Sequence, residues 1–156
     1  MNSSKFRIRR ANSDDRGAWE SLWNAYRVFY KSEPDSNITT TLWQRLFDCQ
    51  HAIEGFVVEQ IDNRKLVGFV HYFAHPSTWG ANPVCYLEDL FTDPDCRGEG
   101  IGRALIDMVN SEARERNWDD VYWHTQQDNH QARVLYDKLT GGTDGFVCYR
   151  IEAADV

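Results

Sequence analysis

Apolar side chains along this chain follow two spacings, and each spacing predicts one kind of element. Recurrence every three to four residues predicts amphipathic helices, and short runs rich in β-branched and aromatic residues predict strands. The helical spacing extends from an N-cap at Asn12 or Ser13 to Tyr30, and recurs over residues 39–48, 100–116 and 129–139. Strands are predicted over residues 6–10, 53–60, 65–73, 84–91, 121–125 and 146–151.

The order of these elements, βααβββαβαβ, predicts an α/β fold in which helices cover one mixed sheet. The three consecutive strands between residues 53 and 91 predict an antiparallel meander, so the sheet should be mostly antiparallel. We expect six to seven strands and about four helices. At 156 residues the chain is long enough for one self-sufficient core, so we expect a single domain over residues 1–156.

Composition and charge narrow the class of protein. A net charge of −7 and a sequence pI of about 5.1 repel phosphates, so we expect no nucleic-acid partner. The four cysteines are scattered and the five histidines lack metal-ligand spacing, so we expect free thiols and no metal site. The absence of a signal-peptide pattern or a long apolar run predicts a cytoplasmic protein without a membrane partner.

Residues 93–103 are the most informative for chemistry, because they place three glycines between a predicted strand and a predicted helix. Glycines let phosphate oxygens approach the main chain, and the N–H groups at a helix N-terminus attract anions. Arg97 and Arg103 add positive charge on either side, so we expect a diphosphate ligand. Dinucleotide and P-loop patterns fail, since Arg103 replaces the third glycine of G-x-G-x-x-G and no Gly-Lys-Ser/Thr follows.

Two motifs in the second half of the chain resemble those of the GNAT N-acetyltransferases. The sequence RGEGIG over residues 97–102 is similar to the family's R/Q-x-x-G-x-G/A pyrophosphate loop. The sequence NHQARVLY over residues 129–136 is similar to the family's N-x-x-A-x-x-x-Y helix. More narrowly, YLED over residues 86–89 resembles the diamine acetyltransferases, and the aromatic helix over residues 19–30 resembles the histone and polyamine branch.

The resemblance implies transfer of an acetyl group from acetyl-CoA to a primary amine by direct attack, without a covalent enzyme intermediate. An alkylamine has a pKa of roughly 10, so a base must take its proton and an acid must protonate the departing thiolate. The family pattern assigns the base to Glu88 and the acid to Tyr136. Asp89 is the alternative base, although strand alternation turns it to the face opposite Glu88. A cation-binding Glu88 and a core Tyr136 remain open alternatives.

The same resemblance implies which residues hold acetyl-CoA. Main-chain groups of the strand before the loop would bind the pantetheine arm, the loop would bind the pyrophosphate, and the start of the last helix would hold the pantetheine side. An N-cap role is the alternative for Asn129. The expected cofactor residues are Leu90, Thr92, Arg97, Gly98, Gly100, Ile101, Gly102, Arg103, Asn129 and Ala132.

The chain departs from the family pattern after the last helix, where residues 140–145 make the connecting segment several residues longer. The family pattern therefore does not predict which residues line the acceptor side of the site here, or which residues contact another subunit. We expect the acceptor to be a small amine such as a polyamine or diamine, and by resemblance we expect a homodimer. The alternatives are acetylation of an amino acid or a protein lysine, and a CoA-binding regulatory module without turnover.

Overall fold

The computed structural model describes residues 1–2, 4–33 and 35–153. All the predicted elements up to the last helix are present, with ends displaced by a few residues, and the strand predicted over residues 121–125 is shorter. In chain order the elements are β1 (Phe6–Arg10), a 3-10 helix (Ser13–Asp15), α1 (Arg16–Phe29), α2 (Ser36–Arg45), β2 (Glu54–Gln60), β3 (Leu66–His75), β4 (Val84–Thr92), a second 3-10 helix (Pro94–Cys96), α3 (Ile101–Glu115), β5 (Val121–Tyr122) and α4 (His130–Thr140).

The described elements divide into two compact units, Met1–Trp123 and His124–Val156. The first unit holds β1 to β5 together with α1, α2 and α3, and the second holds α4. The expectation of a single domain stays a prediction.

The strands of the first unit form one sheet in the order β1-β2-β3-β4-β5. β1 to β4 pair antiparallel, whereas β5 pairs parallel with β4 at two positions, Cys85↔Val121 and Tyr86↔Tyr122. The predicted α/β fold with a mixed, mostly antiparallel sheet and four helices is therefore confirmed. Within the described ranges the sheet has five strands, not the expected six to seven.

The strand predicted over residues 146–151 is wrong, because none of the described residues after α4 lies in a helix or strand. Phe146 and Ile151 are 87% and 94% exposed, so the apolar side chains that predicted the strand face solvent. Gly141 and Gly145 precede them with φ of 84° and 87°, a left-handed conformation unlike that of a strand. Apolar alternation yields a strand only where a neighbour supplies hydrogen bonds and packing.

Side-chain caps set where the first helices begin. Asn12 accepts a hydrogen bond from the Asp14 N–H, and the Asp15 carboxylate accepts one from the Asn12 N–H. This reciprocal pair confirms the predicted N-cap at Asn12. α2 begins three residues before its predicted start because the Asp35 side chain accepts from the Asn37 and Ile38 N–H groups.

The helices α1 and α3 pack on opposite faces of the sheet. On the α3 face, a Cβ added at Gly68 would lie 3.2 Å from the Ile101 Cγ2 atom, so the first turn of α3 approaches the β3 backbone closely. The α1 face is built from aromatic and aliphatic side chains. Its buried members are Trp19, Leu22, Trp23, Val57, Leu66, Phe69 and Phe91.

A buried ionic cluster ties β1, β2 and the start of α1 together. Glu59 on β2 is 1% exposed, and its carboxylate oxygens lie 2.8 Å from Arg7, 2.7 Å from Arg9 and 3.1 Å from Arg64. Arg9 also pairs with Asp15 at 2.6 Å. The charge of Glu59 is therefore fully compensated inside the fold.

Candidate active site

The loop between β4 and α3 has the geometry of an anion cradle. The Asp93 side chain accepts a hydrogen bond from the Asp95 N–H at 3.1 Å and shapes the 3-10 turn that follows. Gly98 and Gly100 have φ of 79° and 77°. Gly100 is the N-cap of α3 and no side chain caps that helix, so its first N–H groups can bind an anion.

Gly100 leaves no room for a side chain. A Cβ built there would lie 2.6 Å from the main-chain nitrogen of Met1, and the left-handed backbone would strain any other residue. A Cβ at Gly98 would meet no described atom within 4 Å. Of these two glycines, Gly100 is therefore the one at which a side chain is least tolerated.

The two predicted cations make different contacts beside this loop. The Arg97 guanidinium lies 5.9 Å from the centre of the Phe29 ring, and Arg103 faces Asp107 at 3.5 Å with a side chain that is 59% exposed. Ile101 differs from its neighbours because it is 1% exposed, so its side chain belongs to the core. Only the main chain of Ile101 can contact a phosphate.

The edge of β4 provides main-chain groups next to the loop. Leu90 and Thr92 pair with Val70 and Gly68 of β3. On the other side, β5 pairs with β4 only as far as Tyr86, and no other strand in the described ranges adjoins it there. The β4 main chain beyond Tyr86 can therefore hydrogen-bond an extended amide-containing ligand.

A bulge interrupts β4 at Glu88. His71 pairs with Asp89 and Tyr72 pairs with Leu87, which leaves Glu88 without a partner on β3. A bulge breaks the alternation of side chains, and bulges are frequent beside active sites. The strand alternation on which the separation of Glu88 from Asp89 was predicted is therefore interrupted at this point, and that separation stays a prediction.

The charges of both carboxylates act on the Tyr26 hydroxyl of α1. Burial raises the pKa of Tyr26, the charge of Asp89 and its hydrogen bond to Tyr26 raise it further, and the charge of Glu88 adds to the effect. Glu88 itself is exposed, yet partial desolvation and the charge of Asp89 raise its pKa, while His71 lowers it by less. A carboxylate whose pKa is raised in this way is suited to accept a proton near neutral pH.

Asp89 continues into a buried polar chain that crosses the α1 face. Its Oδ2 atom lies 3.0 Å from His71 Nδ1, and His71 Nε2 accepts a hydrogen bond from Trp19 Nε1 at 3.0 Å. Sequence reasoning did not name Trp19, Tyr26 or His71 as site residues. The relation of His71 to Asp89 follows from the pairing of β3 with β4, which places the two residues opposite each other.

The second unit carries the remaining predicted residues. Asn129 precedes α4 and its Nδ2 atom donates to Thr125 Oγ1 at 3.1 Å, so its side chain does not cap the helix. Ala132 and Tyr136 are half-buried and lie four residues apart, on one face of α4. The predicted residues thus fall into a first-unit set, from Glu88 to Arg103, and this second-unit set.

The described part of the chain was compared with the requirements of a membrane-spanning helix and of a metal site. None of its helices is both long and apolar enough to cross a membrane. It also holds no group of three or more His, Cys, Asp or Glu side chains that could bind a metal ion.

The fold and the loop define an α/β protein with an anion cradle at the start of α3 and a base candidate on the preceding strand. The profile of the Acetyltransferase (GNAT) family matches residues 18–141, and the chain belongs to this family. It is an acetyl-CoA-dependent N-acetyltransferase.

Individual proteins agree with the family match. The D-amino-acid N-acetyltransferase HPA3 of Saccharomyces cerevisiae is 32% identical over 144 residues, which cover 92% of this chain and 89% of that protein. A thialysine N-epsilon-acetyltransferase of Bos taurus is 33% identical over 92 residues, which cover 56% and 53%. A crystal structure of a probable acetyltransferase has a TM-score of 0.84 at 19% identity, covers 96% of this chain and 99% of its own, and shares the fold.

Proposed function

We propose that the acceptor is the primary amine of a small cationic molecule such as a diamine or polyamine. The observation that supports this proposal is the pair of carboxylates, Glu88 and Asp89, which meet at the β4 bulge and whose charges both act on Tyr26. Two adjacent carboxylates attract an alkylammonium group electrostatically, and an aromatic ring beside them suits a cation with an aliphatic chain.

Glu88 is the proposed base. Its raised pKa makes it a better proton acceptor near pH 7 than an ordinary surface glutamate, and it lies on the strand that leads into the anion cradle. Asp89 is the alternative, but it already accepts a hydrogen bond from His71. Tyr136 is the proposed acid that protonates the leaving thiolate, on the strength of the motif around it.

The residues around the cradle fit the proposed binding of acetyl-CoA, which supplies the acetyl group as a thioester. The left-handed glycines and the uncapped start of α3 suit a pyrophosphate, and Arg97 and Arg103 neutralise its charge. The β4 main chain at Leu90 and Thr92 offers hydrogen bonds to the pantetheine arm. Asn129 and Ala132 of the second unit are proposed to complete the contacts.

An amino acid is a second candidate acceptor, because HPA3 is a D-amino-acid N-acetyltransferase and the bovine relative acts on thialysine by name. Such an acceptor carries a carboxylate as well as an amine. A diamine offers two cations, so the two candidates differ in charge at the end remote from the reacting nitrogen.

The acceptor is tested by measuring the release of free CoA from acetyl-CoA with matched amines. We expect kcat/KM for a diamine to exceed that for a monoamine of equal length and that for lysine, thialysine or D-amino acids. A clear preference for an amino acid would replace the first proposal by the second. Turnover with lysine peptides alone would exclude both.

The cradle is tested with a matched pair of glycine variants. Gly100→Ala and Gly141→Ala impose similar left-handed strain, but only Gly100 lies in the loop, where the added Cβ would also lie 2.6 Å from the Met1 nitrogen. We expect Gly100→Ala to weaken CoA binding in calorimetry and Gly141→Ala to leave it within about twofold of wild type. Equal affinities would contradict the placement of the pyrophosphate.

A homodimer and a cytoplasmic location are proposed on the resemblance and on the sequence. Light scattering of the purified chain, at several concentrations, measures the first. A fluorescent fusion in the source cell measures the second.

A further inference from the structure

A buried imidazole lies between the aromatic residues of α1 and the carboxylates of β4. His71 is 2% exposed and stacks on Phe69 with ring centres 4.7 Å apart. Its Nε2 atom lies 3.0 Å from Trp19 Nε1, and its Nδ1 atom lies 3.0 Å from Asp89 Oδ2. Both ring nitrogens therefore have protein partners within the first unit.

These partners define where the proton of the imidazole lies. An indole N–H can only donate, so His71 Nε2 must accept and carries no hydrogen. The proton of the neutral ring is then on Nδ1, where it donates to the Asp89 carboxylate. Trp19 therefore donates to His71, and His71 donates to Asp89. This chain of hydrogen bonds ends at the carboxylate next to Glu88.

Burial and the charge of Asp89 raise the pKa of Tyr26 on α1, so the Asp89 carboxylate also acts on that hydroxyl. The Asp89 side chain is 14% exposed, so little water competes with the His71 donor. A hydrogen bond to a carboxylate in a mostly buried position holds its rotamer. The charged and titratable groups around His71 are Asp89 and Glu88 on β4 and, through Asp89, Tyr26 on α1.

We propose that His71 is a positioning residue for acetyl transfer. As the Nδ1–H tautomer fixed by Trp19, it holds Asp89 as a carboxylate beside Glu88 and thereby controls proton transfer at Glu88. This inference rests on the proposed role of Glu88 as the base.

Two replacements of His71 distinguish a positioning role from a role in core packing alone. In His71→Asn the side-chain amide can still donate to Asp89 from nearly the place of Nδ1, whereas His71→Leu fills the space without a donor. We expect kcat/KM for the amine to fall about ten- to a hundred-fold in His71→Leu and to recover at least in part in His71→Asn. His75→Leu is the matched control, since His75 lies on the same strand, is half-buried, and has the Pro76 carbonyl and the Tyr122 hydroxyl as its hydrogen-bond partners.

The pH profile of kcat/KM provides a readout that a structural role would not move. Loss of the donor in His71→Leu weakens the hold on the Asp89 carboxylate, whose charge opposes ionisation of Glu88, so the acid limb should move to lower pH, toward the position expected for Asp89→Asn. In Asp89→Asn the charge that opposes ionisation of Glu88 is gone, so the acid limb should move to lower pH. Leu and Asn variants with the same activity and the same acid limb would reduce His71 to a core residue.

A spectroscopic measurement on the wild-type protein does not depend on the variants being folded. The ¹⁵N spectrum of labelled His71 should show a protonated Nδ1 and an unprotonated Nε2. A protonated Nε2 would reverse the chain and overturn the proposal. Absence of turnover with every amine would instead contradict the proposed function, which the wild-type assay reports separately from the tautomer.

Discussion

Two glutamates on the same sheet, Glu59 on β2 and Glu88 on β4, have opposite electrostatic surroundings. Burial would raise the pKa of Glu59, but hydrogen bonds and charge from Arg9, Arg7 and Arg64 outweigh burial and lower the pKa. Partial desolvation raises the pKa of Glu88, and its neighbour Asp89 raises it further. One glutamate is held in its charged form by three arginines, whereas the other is biased toward binding a proton.

The difference in surroundings suggests different roles for the two glutamates: Glu59 contributes to stability, and Glu88 is available for proton transfer. A carboxylate held by arginines contributes to folding and cannot take a proton near pH 7. A carboxylate beside a second carboxylate costs some stability when charged and is therefore available as a base. Loss of Glu88 should thus lower activity, and loss of Glu59 should lower stability.

The largest expected effect is on turnover in Glu88→Gln. Removal of a general base lowers kcat by about 10²- to 10⁴-fold, and the affinity for CoA should not change because the cradle is intact. Steady-state kinetics with the preferred amine and calorimetry with CoA measure the two quantities. Turnover within a few-fold of wild type would transfer the role of base to Asp89 or to a water chain.

The reciprocal change, Glu59→Gln, should lower the free energy of unfolding by about 2 kcal/mol. Breaking a fully buried ion pair costs more, but the side chains of Arg7 and Arg64 are 51% and 69% exposed and can turn to water. Urea unfolding measures the loss, and kcat per folded molecule should stay at the wild-type value. An unchanged urea midpoint would show that the arginine cluster adds nothing to stability.

The sequence predicted most of the scaffold because its signals are local. Helical spacing located α1, α3 and α4, and the glycines and arginines of residues 97–103 indicated the loop that precedes α3. These features depend on side chains a few positions apart in one segment.

Features that depend on contacts between segments far apart in the sequence were harder to predict. The bulge at Glu88 depends on how β4 meets β3, and the chain from Trp19 to Asp89 depends on three separate elements. The strand predicted over residues 146–151 failed for a related reason, since alternation describes one segment and says nothing of a partner. His71 lacked metal-ligand spacing, so its role became visible only through its neighbours.

Two tryptophans on α1, Trp19 and Trp23, test how much the hydrogen bond from Trp19 to His71 contributes to stability. Trp19 Nε1 donates to His71, whereas Trp23 Nε1 has no acceptor among the described residues. Both Phe variants lose similar volume, but only Trp19→Phe leaves a buried acceptor unpaired. We expect Trp19→Phe to be less stable than Trp23→Phe by about 1 kcal/mol in urea unfolding. Equal losses would show that the hydrogen bond contributes nothing beyond packing.

The smallest expected effect is the pH dependence of stability, in which the two glutamates should act with opposite signs. The folded-state pKa of Glu59 is lowered, so its stabilisation is present above its unfolded pKa of about 4.3 and is lost as the pH falls through the folded value. Glu88 has a raised folded-state pKa, so stability declines as the pH rises from the unfolded value through the folded one.

Urea midpoints from pH 3 to 8 separate these contributions. Glu59→Gln should flatten the acid side of the profile, and Glu88→Gln should remove the decline above about pH 4.3, each by no more than about 1.4 kcal/mol per pH unit because one proton is involved. Glu88→Gln should therefore be slightly more stable than wild type at pH 7 while being far less active. A Glu88→Gln variant that is less stable at pH 7 would mean that Glu88 is stabilised as Glu59 is, and the contrast between the two glutamates would fail.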